Sequence, residues 1–329
     1  MKNEEIMYIT GLVLSGSKNI FTIRPDSPGP RSPATSPHIE CRIKGKILKG
    51  MEGFYNALAP GDRVKIEIDT AQPGMGMIVA LEERINLFSR FNQKGSCTQL
   101  LAANIDQVLC LTTRVSPPFR PRFLDRVLVQ ADSADIPVII VCNKIDLHCS
   151  DIDTDERLED FRNIGYEVIE VSAKNGEGLE ELRQRINGKR SVLVGQSGVG
   201  KSSVVNALWP ELNIKTGVIN EKYDRGNHTT TLAFMIETDN TQIIDTPGIR
   251  RFVPDGIDAD DLILHMVEFA PLAGKCTFGL SCSHRREPGC KIMEAVHAGV
   301  IHEDRYNSFL RIQDELQLIN EHTGKYDAD

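Results

Sequence analysis

Residues 191–208 read SVLVGQSGVGKSSVVNAL, and this stretch decides the fold. Ser191–Val194 has the composition of a buried strand, and Ser202–Leu208 has helical spacing. Between them, Gly195-Gln196-Ser197-Gly198-Val199-Gly200-Lys201-Ser202 satisfies GxxxxGK[ST] at every fixed position, in the strand–loop–helix setting that this phosphate-binding loop requires. Glycines let backbone N–H groups wrap phosphate oxygens without Cβ clashes. The helix N-terminus adds unpaired donors and a positive dipole end. Lys201 is expected to reach the β- and γ-phosphates, Ser202 to coordinate Mg²⁺, and Ser203 to complete the phosphate-binding turn.

Working outward, strands alternate with helices. Val108–Leu111, Pro137–Val141, Tyr166–Val171, Ser191–Val194 and Thr241–Ile244 read as strands, and Phe123–Ala131, Leu158–Asn163 and Leu179–Ile186 as helices. That alternation implies a parallel sheet covered on both faces. Two strand ends before the phosphate loop carry base-reading motifs. Asn143-Lys144-Ile145-Asp146 follows an aliphatic strand, and a carboxylate at Asp146 accepts both N–H groups on guanine's Watson–Crick edge. Adenine offers the wrong partners there, and unpaired polar groups make such rejection strong. Asn143 is expected to brace the loop and the Lys144 stem to cover the base. Ser172-Ala173-Lys174 ends the next strand, with the Ala173 N–H expected to donate to guanine O6.

After the phosphate loop, Asp245-Thr246-Pro247-Gly248 ends a strand. Asp245 is expected to hold Mg²⁺ through water, and the Gly248 N–H to sense the γ-phosphate. Thr229-Thr230-Thr231 lies between, where a switch threonine belongs; Thr230 is the first choice for Mg²⁺ and Thr229 the second. The base motifs therefore precede the phosphate loop, the reverse of the ordinary order. A circular permutation preserves the pocket because chain termini lie close enough to be relinked. It also sends the segment after Gly248 straight into the C-terminal region.

The flanking regions differ from this core. Ile9–Leu14, Ile20–Ile23, Ile39–Ile47 and Val64–Ile68 read as short strands separated by Pro/Ser/Gly turns, which suggests a five-stranded OB-like barrel or another small barrel. From about residue 257 the chain reads as helical, interrupted by Cys276-x5-Cys282-x-His284-x5-Cys290. Three thiolates and an imidazole make a tetrahedral zinc set with no open position, so the site is expected to be structural. The remaining cysteines are scattered, as in a reducing compartment. The division expected is 1–95 for an RNA-binding barrel, 96–256 for the permuted α/β P-loop domain and 257–329 for a small zinc-binding helical domain. Net charge is −8, but residues 1–95 carry 13 Lys/Arg against 10 Asp/Glu and the remainder 25 against 36. A mildly basic end on an acidic body suits RNA docking, and suits many ordinary surfaces too. With no apolar run long enough for a membrane span and no signal-peptide pattern, a cytoplasmic protein is expected, and separately a monomer.

The permuted motif order, GQSGVGKSS, DTPG and the Cys/His cluster together resemble the RsgA (YjeQ) family of small-ribosomal-subunit-dependent GTPases, over nearly the whole chain. The resemblance implies an OB domain, a permuted GTPase domain and a zinc domain. It also implies GTP hydrolysis to GDP stimulated by the small subunit and its rRNA during late maturation. Ile249 occupies the position that holds a water-orienting Gln in many GTPases. The resemblance assigns that role to a switch histidine, here His228, the candidate catalytic residue. Two departures from the family stand out: Asn227 replaces a usual basic residue, and one extra residue separates Cys276 from Cys282. The alternative compatible with Ile249 is a GTP-gated RNA-binding module with negligible hydrolysis of its own.

Overall fold

A computed structural model describes residues 7–17, 19–27, 37–45, 53–68, 75–149, 152–214, 233–238 and 240–322. Five strands close a barrel: β1 (Met7–Ser17), β2 (Ile20–Pro25), β3 (Ile39–Ile43), β4 (Arg63–Ile68) and β5 (Met75–Leu81). β1 is antiparallel to β2 and β4, β2 to β3 and β4 to β5, while β3 runs parallel to β5. The circuit 1-2-3-5-4-1 leaves no free edge, which removes the aggregation hazard of an open small sheet. β1 serves two neighbours because a register shift between Val13 and Ser15 bends it, as a bulge does. Alternate residues Val64 and Ile66 join Val13, Phe21, Ile23, Cys41 and Ile78 in the barrel core. Gly76 is required there, because a Cβ would sit 2.8 Å from Ile66 Cγ2 and 2.9 Å from Cys41 Sγ. The expected third strand ends at Ile43, earlier than the sequence suggests; residues 46–50 lie outside the described set.

A hairpin of β6 (Leu87–Asn92) and β7 (Cys97–Ala103) follows. The 95/96 division falls in its turn. Then comes the α/β unit, with β8 (Gln107–Thr113), β9 (Val138–Asn143), β10 (Glu167–Val171), β11 (Arg190–Gly195), β12 (Phe234–Glu237) and β13 (Gln242–Asp245). Their order is β10-β9-β8-β11-β13-β12, parallel except for β12. β8 is buried throughout, and its period of two sends Val108 and Cys110 to one face, Leu109 and Leu111 to the other. α1 (Pro121–Asp132) covers the first face through Leu124, Val127 and Leu128. α3 (Leu179–Ile186) and α4 (Lys201–Leu208) cover the second through Leu182, Ile186 and Val205. α2 (Ile152–Asn163) completes the layers. A single pairing, Ser15 with Phe234, joins barrel to sheet.

The C-terminal part has short 3₁₀ turns and two helices, α5 (Lys291–His297) and α6 (Glu303–His322). Arg305 on α6 is fully buried and anchors this part: its guanidinium pairs with Asp125 on α1 at 2.6 Å and, through two nitrogens, with Glu268 at 2.5 and 2.8 Å. Among the described residues no helix is long and apolar enough to cross a membrane.

Candidate functional site and metal centre

All four nucleotide motifs sit at one edge of the sheet because their strands are parallel and in register. Gly195 pairs with Leu111, Thr113 with Asn143, Asn143 with Val171, and Leu193 with Asp245. Ligands of open α/β sheets bind at this carboxyl edge. β11 therefore delivers the phosphate loop directly to the N-terminus of α4. Gly198 (φ +86°) and Gly200 (φ +92°) take left-handed conformations that side chains resist, and a Cβ on Gly200 would lie 2.4 Å from Asn143 Nδ2. Ser197 and Gly198 are exposed at the rim, and Gln196, Ser202 and Ser203 are half-buried.

Asn143 connects the base side to the phosphate side. It is 1% exposed, its Nδ2 donates to Val199 O at 2.9 Å, and its Oδ1 accepts from Ala173 N at 3.1 Å. One side chain thus fixes the phosphate loop against Ser172-Ala173-Lys174, a bracing role on two sides. Lys144 has φ +67°, and its ammonium donates to Ser116 O (2.6 Å) and Gly198 O (2.7 Å), so it too reaches the phosphate loop. Ser172 Oγ donates to Asp146 Oδ1 at 2.8 Å, and Lys174 Nζ lies 3.6 Å from Asp146 Oδ2. The Ser172 bond, aided by Lys174, holds the Asp146 carboxyl below its ordinary range, so it is an acceptor at neutral pH.

On the phosphate side, Lys201 is 8% exposed and donates to Gly195 O at 3.0 Å; burial lowers its pKa. Asp245 is 3% exposed, and burial pushes its carboxyl up to about 7, partly offset by Lys201. Asp245 Oδ1 has no hydrogen-bond partner among the described residues. A buried carboxylate oxygen beside the phosphate loop, facing an ammonium, suits an Mg²⁺-bound water. Thr246 Oγ1 donates to Leu193 O at 2.6 Å, and Ile249 N to Gly195 O at 3.2 Å, holding this turn against the phosphate loop. Gly248 is needed for that approach, since a Cβ there would be 2.9 Å from Ser197 Cα. Ile249 is 4% exposed and faces the core, which leaves it no part in orienting water. His228 and Thr229–Thr231 lie outside the described residues.

Cys276, Cys282, His284 and Cys290 converge, with their ligand atoms all within 4.8 Å of one another and all four residues buried. Cys276 Sγ and Cys290 Sγ are 3.9 Å apart and lie 3.6 and 3.5 Å from His284 Nδ1. A tetrahedron with Zn–S of about 2.3 Å and Zn–N of about 2.05 Å has edges of about 3.8 and 3.6 Å, so the set fits zinc. Lys291 N–H donates to Cys276 Sγ (3.3 Å) and Tyr306 Oη to His284 O (2.8 Å), which orients both ligand residues. His284 has φ +60°, a left-handed conformation that the sequence spacing does not announce.

Fold and site define a circularly permuted P-loop GTPase with an N-terminal barrel and a C-terminal Cys/His centre. The sequence pattern described as RsgA GTPase matches residues 81–253. The chain belongs to the RsgA GTPase family. It is 38% identical, over 85% of its length and 92% of the relative's, to the small ribosomal subunit biogenesis GTPase RsgA of Chlorobaculum parvum. It is 34% identical, over 97% and 99%, to RsgA 2 of Bacteroides thetaiotaomicron. Among solved structures it is similar to YjeQ from Thermotoga maritima, with TM-score 0.69 and 30% identity, covering 94% of this chain and 99% of that one.

Proposed function

We propose that this chain hydrolyses GTP to GDP and phosphate in the biogenesis of the small ribosomal subunit, with turnover stimulated by that subunit. The observation carrying the reading is the Asn143 bridge, which ties the guanine-reading loops and the phosphate loop into one pocket despite the reversed motif order. Asp146 accepts the guanine N–H groups, Ser172 keeps that carboxylate charged, and the Ala173 amide, which donates to Asn143 Oδ1 here, is shared with or turned to O6 when the base enters. Gly195–Ser203 and Lys201 hold the phosphates, and Gly248 reports the γ-phosphate. Ser202, Asp245 and Thr230 are the residues that would hold Mg²⁺, which neutralises charge developing on the transferred phosphoryl group. Because Ile249 is buried, His228 is assigned to orienting the attacking water. Cys276, Cys282, His284 and Cys290 hold one structural Zn²⁺. The barrel within residues 1–95 faces rRNA, 96–256 is the GTPase domain and 257–329 the zinc domain, with the β6–β7 hairpin spanning the first division, and the chain acts as a cytoplasmic monomer.

The test is GTP turnover with and without purified small subunits, together with co-sedimentation in the GTP-analogue and GDP states. Stimulation and GTP-dependent pelleting are expected; GTP-dependent pelleting without stimulated hydrolysis would favour a GTP-gated RNA-binding module.

A further inference from the structure

Between the N-terminus of α1 and the segment that follows Gly248 lies a cavity of about 610 Å³ lined by Arg120, Arg122, Arg126, Arg250 and Arg251, with Gln196 of the phosphate loop at its edge. Only Asp304 among the lining residues is acidic, and Glu315 reaches in to pair with Arg126 (3.2 Å) and with Arg251. Arg120, Arg122 and Arg250 are exposed and have no ion-pair partner among the described residues. This density of cations stands on a body where Asp/Glu outnumber Lys/Arg. It also opposes local stability. Arg120 occupies the N-cap position of α1 without a side-chain capping hydrogen bond, and no acidic residue occupies the first turn, so positive charge is set against the positive end of the helix dipole.

We propose that this cleft docks a stretch of RNA sugar–phosphate backbone, and that it does so as part of the small-subunit recognition on which the proposed function rests. Guanidinium groups bind phosphate oxygens in bidentate fashion, and several spread over one cavity suit consecutive phosphates better than a single small anion. The two walls differ in kind. α1 is fixed to the C-terminal part by the buried Asp125–Arg305 pair. The other wall, Arg250 and Arg251, begins two residues after Gly248 and is tethered to the phosphate loop through Ile249 N and Gly195 O. Glu315 bridges the walls through Arg126 and Arg251, so Arg250, which has no ion-pair partner among the described residues, is the cation of that wall whose spacing from α1 changes with nucleotide state, which links RNA docking to GTP.

The test uses the full chain carrying a non-hydrolysable GTP analogue, a 20-base-pair RNA duplex as probe, and the triple variant Arg120→Gln/Arg122→Gln/Arg250→Gln. Each lost phosphate contact lowers the slope of log K against log salt by roughly 0.7–0.9, so three should lower it by about 2–3. Binding at low salt should weaken at least tenfold while GDP affinity stays within twofold. The Arg→Lys triple, which keeps the charges, should recover most of the slope and shows that loss in the Gln variant is not misfolding. An unchanged slope overturns the proposal, as does a variant that loses polyaspartate binding but keeps the duplex, which would make the cleft an acidic-peptide site. Stimulation of the wild type by small subunits is measured alongside. Its absence strikes the proposed function, whereas a stimulated wild type with an unchanged slope in the variant strikes only the cleft.

Discussion

Replacing Asp245 by Asn should separate the stability of the protein from its capacity to hold metal and nucleotide. The carboxyl is nearly enclosed, one oxygen lacks a partner among the described residues, and burial raises it from 3.8 to about 7. Because the folded value is raised, the folded state keeps a proton between about pH 4 and 7 that the unfolded chain releases. The nucleotide-free protein therefore loses stability as pH rises through that window and is level above it. At 1.36 kcal/mol per pH unit the full loss is about 4 kcal/mol, of which about 2–3 falls between pH 5 and 8. Asn cannot titrate, so the variant should gain that amount on the wild type over the same interval. Urea unfolding of both proteins without nucleotide, from pH 5 to 8, measures it, and the difference between them isolates this one group. Adding Mg²⁺ and GDP at roughly a hundredfold over Kd should then stabilise the wild type by about 2.7 kcal/mol and the variant much less. A wild-type-minus-variant difference that stays flat with pH would show that the Asp245 carboxylate is not held in the dry setting described.

Three further outcomes follow from the geometry and a fourth, for His228, from the sequence. Arg305→Ala leaves Asp125 and Glu268 buried without their cation and should destabilise the chain by about 3–5 kcal/mol in urea melts; under 1 kcal/mol would deny the anchor its role. Cys282→Ser should reduce bound zinc, measured by elemental analysis, from one per chain to a small fraction, with a lower melting temperature. Asp146→Asn should shift competition from guanine towards xanthine nucleotides, since an amide pairs with the xanthine edge; retained guanine preference would contradict the assignment. His228→Ala should leave GDP affinity within about twofold and slow subunit-stimulated turnover by about 10²-fold or more, the scale of a positioned proton-transfer group, read in single-turnover assays.

What was legible in the sequence is what chemistry fixes locally. The phosphate loop, NKxD and Cys₃His set each demand particular residue types within a few positions, and the structure brings each group together. The unbroken apolar run Val108–Leu111 in β8 was equally readable, because both faces of a parallel sheet are dry. The β6–β7 hairpin was not. A register shift between Phe88 and Ser89 buries two successive residues and destroys the period-two signal on which a strand reading depends. The fifth barrel strand was equally hidden, since MGMIVAL at residues 75–81 contains no charge and so shows no inward–outward alternation. Nor does any local pattern reveal that Lys144 reaches Ser116 and Gly198, or that Arg305 meets Asp125 across 180 positions; only the folded chain supplies such pairings.

The permutation explains why the segment after Gly248 carries so many of those non-local contacts. With the base-reading strands moved ahead of the phosphate loop, the chain leaving the switch enters no further sheet strand and runs instead where barrel-side hairpin, GTPase core and C-terminal helix meet. Phe252 is fully buried there, 5.7 Å from Phe88 on the hairpin and 6.3 Å from Phe123 on α1. Ser89 and Thr98 of the hairpin donate to Asp255, Arg90 donates to Arg251 O, and Arg251 pairs with Glu315 on α6. A close-packed aromatic cluster does not deform continuously; it holds one packing or exchanges it for another. On the proposed role of Gly248, its displacement by a γ-phosphate would reach the hairpin and α6 together, through one buried phenylalanine and the ion pair beside it, and not as separate adjustments of each part.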